Sequence, residues 1–380
     1  MGNKIFVTCP RGLEQVTSEE LSLILGKENT VDHGGVHLEG SFSDICKINL
    51  SSRTGMHVLQ EVMSIRSTSI NQLYTLIKSY KWSNLITKDD TFSIRTRVNS
   101  SIFKNSNIVT LKIKDAIVDR IRTDTQSRPS IDKENPTYQI FVNIKDNHIK
   151  LYLNTSGDPL YIRGYRTRVH RAAINPCMAA GLVMLSTWDG KSAFYDPMCG
   201  SGTIAIEALM IGLSMPPRYK RSSYAFKKWR TFDEEVYKKH LDSINSKIDI
   251  SKELQICASD NTEKNLDLIK SSLGILGLDE RIDMQVMDIK DFATSSDRGV
   301  IITNPPHGHR MSREEALRGL YRSLGDTFKN NCKNHDAYIF SMNNTLSKSI
   351  GLRTKQKHVL KNGKLDCRLL YFPITEGKFH

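Results

Sequence analysis

The sequence predicts an α/β chain in two parts: an α+β front, then a parallel sheet with helices on both faces. Residues 1 to about 155 mix strand-like and helix-like pieces without regular alternation, whereas after Gly164 strands and helices alternate steadily. The rear strands also end in acids or glycine-rich turns, the position where ligands bind in such sheets. At 380 residues the chain has room for two to three domains of ~150 residues, and the 39% hydrophobic share supplies each with a core.

In the front, Lys4 to Cys9 reads as a strand, and Gly12 to Leu25 as a helix because Leu13, Val16, Leu21 and Ile24 fall on one face. Gly35 to Leu38 extends again and Tyr74 to Ser79 is helical. Thr91 to Val98 alternates Phe92, Ile94 and Thr96 as a half-buried strand. Leu111 to Ile121 is helical, and Tyr138 to Ile144 with Ile149 to Leu153 reads as a hairpin around Asp146-Asn147. In the rear, helix Pro176 to Ser186 leads to strand Ala193 to Tyr195, a glycine-rich turn and helix Thr203 to Gly212. Strand Leu254 to Ala258, helix Thr262 to Leu273, strand Asp283 to Met287, strand Val300 to Thr303, helix Arg313 to Phe328 and strand Ala337 to Phe340 follow.

Charged residues at 25% and aromatics at 8% exclude collagen-like, low-complexity and wholly disordered chains. The longest apolar stretch, Ala179 to Leu185, is far short of the ~20 residues that span a bilayer, so neither a membrane span nor an export signal is expected. Fifty-four Lys and Arg against 41 Asp and Glu leave a formal charge of +13, which makes acidic partners the first candidates. The seven cysteines (Cys9, Cys46, Cys177, Cys199, Cys257, Cys332, Cys367) are scattered, odd in number and form no Cys-x-x-Cys pair. They argue against zinc and against a disulfide framework, and for a reducing interior compartment, taken as the cytoplasm; no metal is expected.

The first chemical feature is Asp196-Pro197-Met198-Cys199-Gly200-Ser201-Gly202-Thr203, between a strand and a helix. Gly200 and Gly202 permit close backbone approach, and the helix start at Thr203 offers free N–H groups to a nucleotide-like cofactor. Gly200 to Ala205 also satisfies the dinucleotide pattern G-x-G-x-x-A, and two glycines can serve an ordinary turn. Asp196 discriminates: a carboxylate is ill placed beside a pyrophosphate and well suited to the ammonium of S-adenosylmethionine. Asp260 and Asp288 end the next two strands, where carboxylates, as pure acceptors, suit ribose hydroxyls and an adenine amino group. Asp260 also reads as a helix N-cap, and the two roles coexist.

The most specific feature is Asn304-Pro305-Pro306-His307, directly after the apolar strand Val300 to Thr303. Two prolines can merely stop a strand. An exocyclic base amine, however, is a poor nucleophile, because its lone pair is delocalised into the ring. The Asn304 side-chain oxygen and the Pro305 carbonyl can accept its two hydrogens and aim the lone pair at a methyl carbon, with Pro306 stiffening the bracket.

On these residues the chain resembles the bacterial-type THUMP-domain class I methyltransferases that make N2-methylguanosine in large-subunit ribosomal RNA, relatives of which act on transfer RNA. The likeness runs through Asn154-Thr155-Ser156-Gly157, Arg163-Gly164-Tyr165-Arg166, Asp196 to Thr203 with Ile206-Glu207-Ala208, and Asn304-Pro305-Pro306 with Gly308 and Arg310. Leu320-Tyr321, Leu324-Gly325-Asp326, Asn362-Gly363, Gly12-Leu13-Glu14 and Ala116 to Arg120 extend it over nearly the whole chain. The resemblance implies a ferredoxin-like region over 1–60, a THUMP RNA-binding domain over 61–160 and a Rossmann-like methyltransferase domain over 165–380. It implies S-adenosylmethionine as methyl donor, a guanine N2 in ribosomal RNA as target, and RNA contacts from Arg163, Arg166 and Arg310. A transfer RNA guanine methyltransferase, a DNA adenine methyltransferase and a non-catalytic RNA-binding or assembly protein are the alternatives. The family usually has Tyr or Phe where this chain has His307, and that ring stacks on the extruded base.

Two runs interleave bases with aromatics and contain no acid: Tyr161 to Arg171, and Arg218 to Arg230. Phosphates need cations and unpaired bases need flat surfaces, so both runs fit RNA binding; the alternative is a solvated face with Phe226 and Trp229 packed inward.

Overall fold

The computed structural model describes residues 2–166, 173–221, 223–307, 314–363 and 365–375. The front elements are β1 (Asn3–Thr8), α1 (Glu14–Leu25), β2 (Thr30–Asp32), β3 (Gly35–Gly40), α2 (Phe42–Ser51), β4 (His57–Arg66), α3 (Ile70–Ser79), β5 (Thr91–Asn99), α4 (Ser106–Thr125), β6 (Ser130–Ile131), β7 (Tyr138–Lys145) and β8 (His148–Asn154). They build one eight-stranded sheet in the order β2-β3-β1-β4-β8-β7-β5-β6. Alternation places Ile140, Val142, Ile149 and Leu151 in the core of its β7–β8 hairpin. Helix α2 begins where Ser41 and Asp44 cap each other, the Asp44 carboxylate accepting from Ser41 N–H at 2.7 Å and the Ser41 hydroxyl from Asp44 N–H at 3.3 Å. Strand β4 pairs with β1 on one side and β8 on the other, with a bulge between Glu61 and Met63. The expected boundary between residues 60 and 61 thus falls inside a strand that both front units share.

The rear elements are α5 (Pro176–Leu185), β9 (Ala193–Asp196), α6 (Thr203–Gly212), α7 (Glu234–Asn245), β10 (Ile256–Asp260), α8 (Glu263–Leu276), β11 (Asp283–Val286), β12 (Gly299–Thr303), α9 (Glu314–Asn331), β13 (His335–Ser341), α10 (Asn344–Lys348), β14 (Gln356–Asn362) and β15 (Leu365–Ile374). Their seven-stranded sheet runs β11-β10-β9-β12-β13-β15-β14. The pairings from β11 to β13 are parallel, as expected, but β13–β15 and β14–β15 are antiparallel. The sheet is therefore mixed, which corrects the all-parallel expectation. Strands β14 and β15 are separated by a turn at Gly363 (φ +63°), and a short hairpin can join only antiparallel neighbours.

The rear chain also returns to the front. Phe226 packs edge-on against Phe42 of α2 at 5.7 Å, Trp229 stacks on Tyr138 of β7 at 5.7 Å, and the Trp229 indole N–H donates to the Thr137 carbonyl at 3.1 Å. Tyr237 of α7 joins the same core, and the Ser43 hydroxyl meets His240 Nε2 at 2.7 Å. Residues expected within the rear domain thus complete the front one.

A buried charge network fastens the two parts. Helix α6 is apolar nearly all round except for Glu207, whose side chain is fully buried, as is that of Arg163. Arg163 Nε donates to Glu207 Oε1 at 3.0 Å and Nη2 to Oε2 at 3.2 Å, and the Tyr165 hydroxyl donates to Oε1 at 3.1 Å. Arg163 Nη2 also reaches the Arg53 carbonyl at 2.7 Å, and Arg53 donates to the Met215 carbonyl at 2.7 Å. Burial alone pulls the Arg163 pKa down; the Glu207 carboxylate reverses this, and the net shift is upward. Removing one partner of such a pair leaves an uncompensated buried charge, so Arg163→Met should lower unfolding free energy by about 3–5 kcal/mol in urea titration. The double variant Arg163→Met/Glu207→Gln should recover much of that loss, and an unchanged midpoint for the single variant would contradict the assignment.

Candidate active site

The site forms because β9, β10 and β12 are parallel neighbours that end on the same side of the sheet. Ile301 of β12 lies opposite Tyr195 of β9, which sets Asp196 and Asn304 close to the same edge. Between them and the β10 end opens a cavity of about 690 Å³, lined by Asp196, Cys199, Gly200, Ser201, Thr203, Asp260, Asn265, Asn304, Pro305, Pro306 and His307 among others. That volume suits a nucleoside-sized ligand.

The turn after β9 is built to approach a ligand. Gly202 (φ +70°) packs so tightly that an added Cβ would sit 2.5 Å from Ile269 Cγ1, whereas Gly200 (φ +52°) has open space where a Cβ would project. Asp260 braces this turn: its Oδ2 accepts from Gly200 N–H at 3.0 Å, and its Oδ1 from Thr262 N–H at 3.0 Å and Asn265 Nδ2 at 2.9 Å. It both lines the cavity and ties down the start of α8, where Thr262, not Asp260, is the capping residue.

Asp196 is the electrostatic centre. Its side chain is 1% exposed, yet neither carboxylate oxygen has a hydrogen-bond partner among the described residues. Burial, with the nearby Asp260 charge adding to it, pushes its pKa up to about 8. Met198 N–H, by more than the Asp260 charge adds, and the Thr303 hydroxyl pull the other way, but neither completes a hydrogen bond to it among the described residues. A buried, unpaired carboxyl facing a cavity is a receptor for a cation with N–H donors.

On the opposite wall, Asn304 and Pro305 follow the buried end of β12, Pro306 is exposed, and His307 is half-buried. His307 Nε2 lies 2.7 Å from Asn304 Oδ1, and its Nδ1 lies 3.3 Å from the Tyr321 hydroxyl and 3.4 Å from Met342 N.

Other expected residues land elsewhere. Pro197 is buried behind the turn, its carbonyl accepting from Ser259 at 3.4 Å. Asp288 is exposed, caps the turn Ile289–Asp291 by accepting from Lys290 N–H at 2.9 Å, and is not among the cavity-lining residues. Arg163 is 1% exposed and committed to Glu207, so it is a fastener of the fold and not an RNA contact. Arg166 is half-buried, with one guanidinium nitrogen buried and without a partner among the described residues, and Arg310 lies outside the described residues. In the second basic run Arg218, Tyr224, Phe226 and Trp229 are buried, so the inward-packed alternative holds for three of its aromatics but not for Tyr219. Arg221 braces the 156–162 loop through the carbonyls of Ser156, Asp158 and Pro159, leaving Tyr219, Lys220, Lys227, Lys228 and Arg230 exposed. The cavity residues Asn265, Met342 and Asn362 were not anticipated as site residues; Asn265 follows Asp260 by five positions, a spacing that a helix start makes legible.

Residues 163–370 match the RMKL-like methyltransferase domain, residues 67–154 the THUMP domain, and residues 4–59 the RlmL ferredoxin-like domain. The chain belongs to this family of THUMP-bearing, S-adenosylmethionine-dependent methyltransferases. It is 31% identical over 97% of its length to a Synechocystis sp. protein, 96% of which is covered, whose name assigns it provisionally to the RNA methyltransferases. It is also 31% identical, over 99% of its length, to the ribosomal RNA large subunit methyltransferase K/L of Syntrophotalea carbinolica; the chain spans about half of that relative, 54%. Among solved structures, SMU.472, provisionally named a methyltransferase and crystallised with SAH, superposes with a TM-score of 0.90 at 27% identity, covering 100% of both chains. A Listeria monocytogenes protein named by prediction as an N6-adenine-specific DNA methylase superposes at 0.88 with 26% identity, covering 98% of this chain and 96% of that one.

The residues fit S-adenosylmethionine: Asp196 would supply an acceptor, unpaired among the described residues, for its ammonium, and Gly200 leaves open space beside the turn. The fit carries a proton. Below pH about 8 the Asp196 carboxyl of the cofactor-free protein is largely protonated, and it must ionise to meet an ammonium. Affinity for SAH should therefore rise between about pH 6 and pH 7.5, by up to about tenfold per unit, with proton release seen by calorimetry in buffers of different ionisation enthalpy. Asp196→Asn should weaken binding and flatten that dependence. A pH-independent Kd for the wild-type protein would contradict the assignment.

Proposed function

We propose that this protein transfers a methyl group from S-adenosylmethionine to the exocyclic N2 amine of a guanine in large-subunit ribosomal RNA. The observation that carries the reading is the shared cavity: the Asn304-Pro305 bracket on one wall and the unpaired Asp196 carboxyl on the other. Asp196 would take the ammonium of the donor, and Gly200, Thr203 and Asp260 would flank its adenosine. When bound, the donor supplies an electrophilic methyl carbon.

The chain's own residues handle the amine. Asn304 Oδ1 and the Pro305 carbonyl accept its two hydrogens, draw nitrogen toward tetrahedral geometry and aim its lone pair across the cavity. Catalysis of this kind needs no strong base, because the alkylated nitrogen is acidic and sheds its proton readily. A covalent route through sulfur is disfavoured: burial, then the Asp196 charge, push the Cys199 thiol far up from its ordinary range. The THUMP match over 67–154 and the exposed cations Lys220, Lys227, Lys228 and Arg230 support an RNA substrate. A base in a duplex must first be extruded, which favours loops or disrupted pairs as targets.

Mass-spectrometric nucleoside analysis of ribosomal and transfer RNA, with and without the protein, tests the reading. N2-methylguanosine should disappear from the large-subunit RNA of cells lacking the protein and return with the wild-type gene but not with Asn304→Ala, which should lower kcat by about 100-fold or more. Loss from transfer RNA, loss of N6-methyladenosine, or no loss in any fraction would point respectively to transfer RNA, adenine or a non-catalytic role, and would overturn the proposal.

A further inference from the structure

We propose that His307 is a positioning residue for the amine clamp: its Nε2–H holds the Asn304 carboxamide with the oxygen, not the NH2, available to the target. This inference rests on the methyl-transfer reading and replaces base stacking as the role of the residue at this position.

One donor at His307 has a fixed identity. Met342 contributes a backbone N–H, which can only donate, and it points at His307 Nδ1 from 3.4 Å. The Tyr321 hydroxyl lies 3.3 Å from the same nitrogen and is free to rotate its proton toward it. Nδ1 therefore acts as acceptor, and the single proton of a neutral imidazole is left on Nε2. The Asn304 atom 2.7 Å from Nε2 must then be the acceptor of the carboxamide, Oδ1. A carboxamide oxygen has two lone pairs; one meets His307 and the second remains for a hydrogen of the target amine. A flipped carboxamide would set N–H against N–H at His307 and offer the amine a donor in place of an acceptor.

The ring is set for this task and not for stacking. It stands edge-on to Phe340, with centroids 6.3 Å apart at 81°, and both of its nitrogens are engaged at once by α9, by the β13–α10 connection and by Asn304. An imidazole turned to lie flat on a base would surrender these contacts.

Two substitutions separate the roles. His307→Gln keeps a donor at the reach of Nε2 but has no aromatic face; His307→Phe keeps a face and loses the donor. Positioning predicts that His307→Gln stays within about threefold of wild-type kcat, and that His307→Phe loses about 10- to 100-fold in kcat with little change in KM for RNA. In an Asn304→Ala background His307→Phe should cost nothing further, because the residue acts through Asn304. Stacking predicts the reverse order, His307→Phe active and His307→Gln impaired, and that result overturns the proposal.

A second readout needs no activity. In protein labelled with 15N-histidine, the signal lost in His307→Gln should report an Nε2–H tautomer with bare Nδ1 and should shift in Asn304→Ala. An Nδ1–H tautomer refutes the proposal whatever the substrate proves to be. A wild-type protein that shows the Nε2–H tautomer yet methylates no RNA would instead count against the functional reading alone.

Discussion

The register of two parallel strands sets everything that happens at the site. With Ile301 opposite Tyr195, the last residues of β9 and β12 come to the same edge, and a carboxyl and a carboxamide from sequence positions about a hundred apart face one cavity. A shift of one residue would turn Asp196 to the opposite face of the sheet, since strand side chains alternate. The register is hard to shift because β9 is buried at all four positions and β12 at its last four, so any slip would swap side chains between two close-packed faces and break their fit.

That rigid edge is tied to the front of the molecule through α6. Its first turn belongs to the cavity, its middle carries Glu207, and the Met215 carbonyl just beyond its end accepts from Arg53. The linker that carries Arg163 and Tyr165 is thereby anchored to the helix that carries the cofactor turn. Crowding of cations at this joint has a cost: Arg218, buried and facing the Gly55 carbonyl at 3.4 Å, has its pKa pushed down to about 9 by burial and then by the Arg163 charge. Tyr224, Phe226 and Trp229 add a second fastening by packing into the front core. The orientation of the front with respect to the cavity is thus fixed by both ionic and apolar contacts, as a protein that must place one nucleotide from an extended polymer requires.

Much of this was legible in the sequence, and the failures share a cause. Asp196, Gly200, Asp260 and Asn304 were readable because strand-end acids and tight glycine turns have local signatures, and all four line the cavity. The β14–β15 hairpin was not read, although Asn362-Gly363 between two extended runs is a hairpin signal; with no helix following, it fell outside the alternation that identified the rest. Arg163 and the aromatics of the 218–230 run misled because a basic, aromatic stretch has the same composition whether its side chains meet phosphates or a buried carboxylate. For Arg163 the position of Glu207, 44 residues away, decides; for Tyr224, Phe226 and Trp229 the front core they enter does. His307 belongs to the same class: its identity suggests a flat ring for a base, and its surroundings convert it into a hydrogen-bonding fixture.

The site also keeps groups unsatisfied that folding alone would have paired. Among the described residues Asp196 holds two bare carboxylate oxygens, and the Thr303 hydroxyl beside it is buried without a partner. Leaving an ionised carboxylate in that state is expensive, so the group accepts a proton, and each pH unit between its ordinary and its raised pKa represents about 1.4 kcal/mol of stability forgone. A cationic ligand that brings its own N–H donors recovers that energy on binding, which makes the bound protein more stable than the empty one by more than surface burial would provide. The acceptor on the other wall is treated differently: Asn304 is already hydrogen-bonded through His307 and needs no proton to remain there. On the proposed reading the cavity would meet a charged donor with a stored electrostatic deficit and a neutral amine with a satisfied, oriented acceptor. This division suits a reaction in which the cofactor must be drawn into a buried pocket while the nucleophile needs only to be aimed.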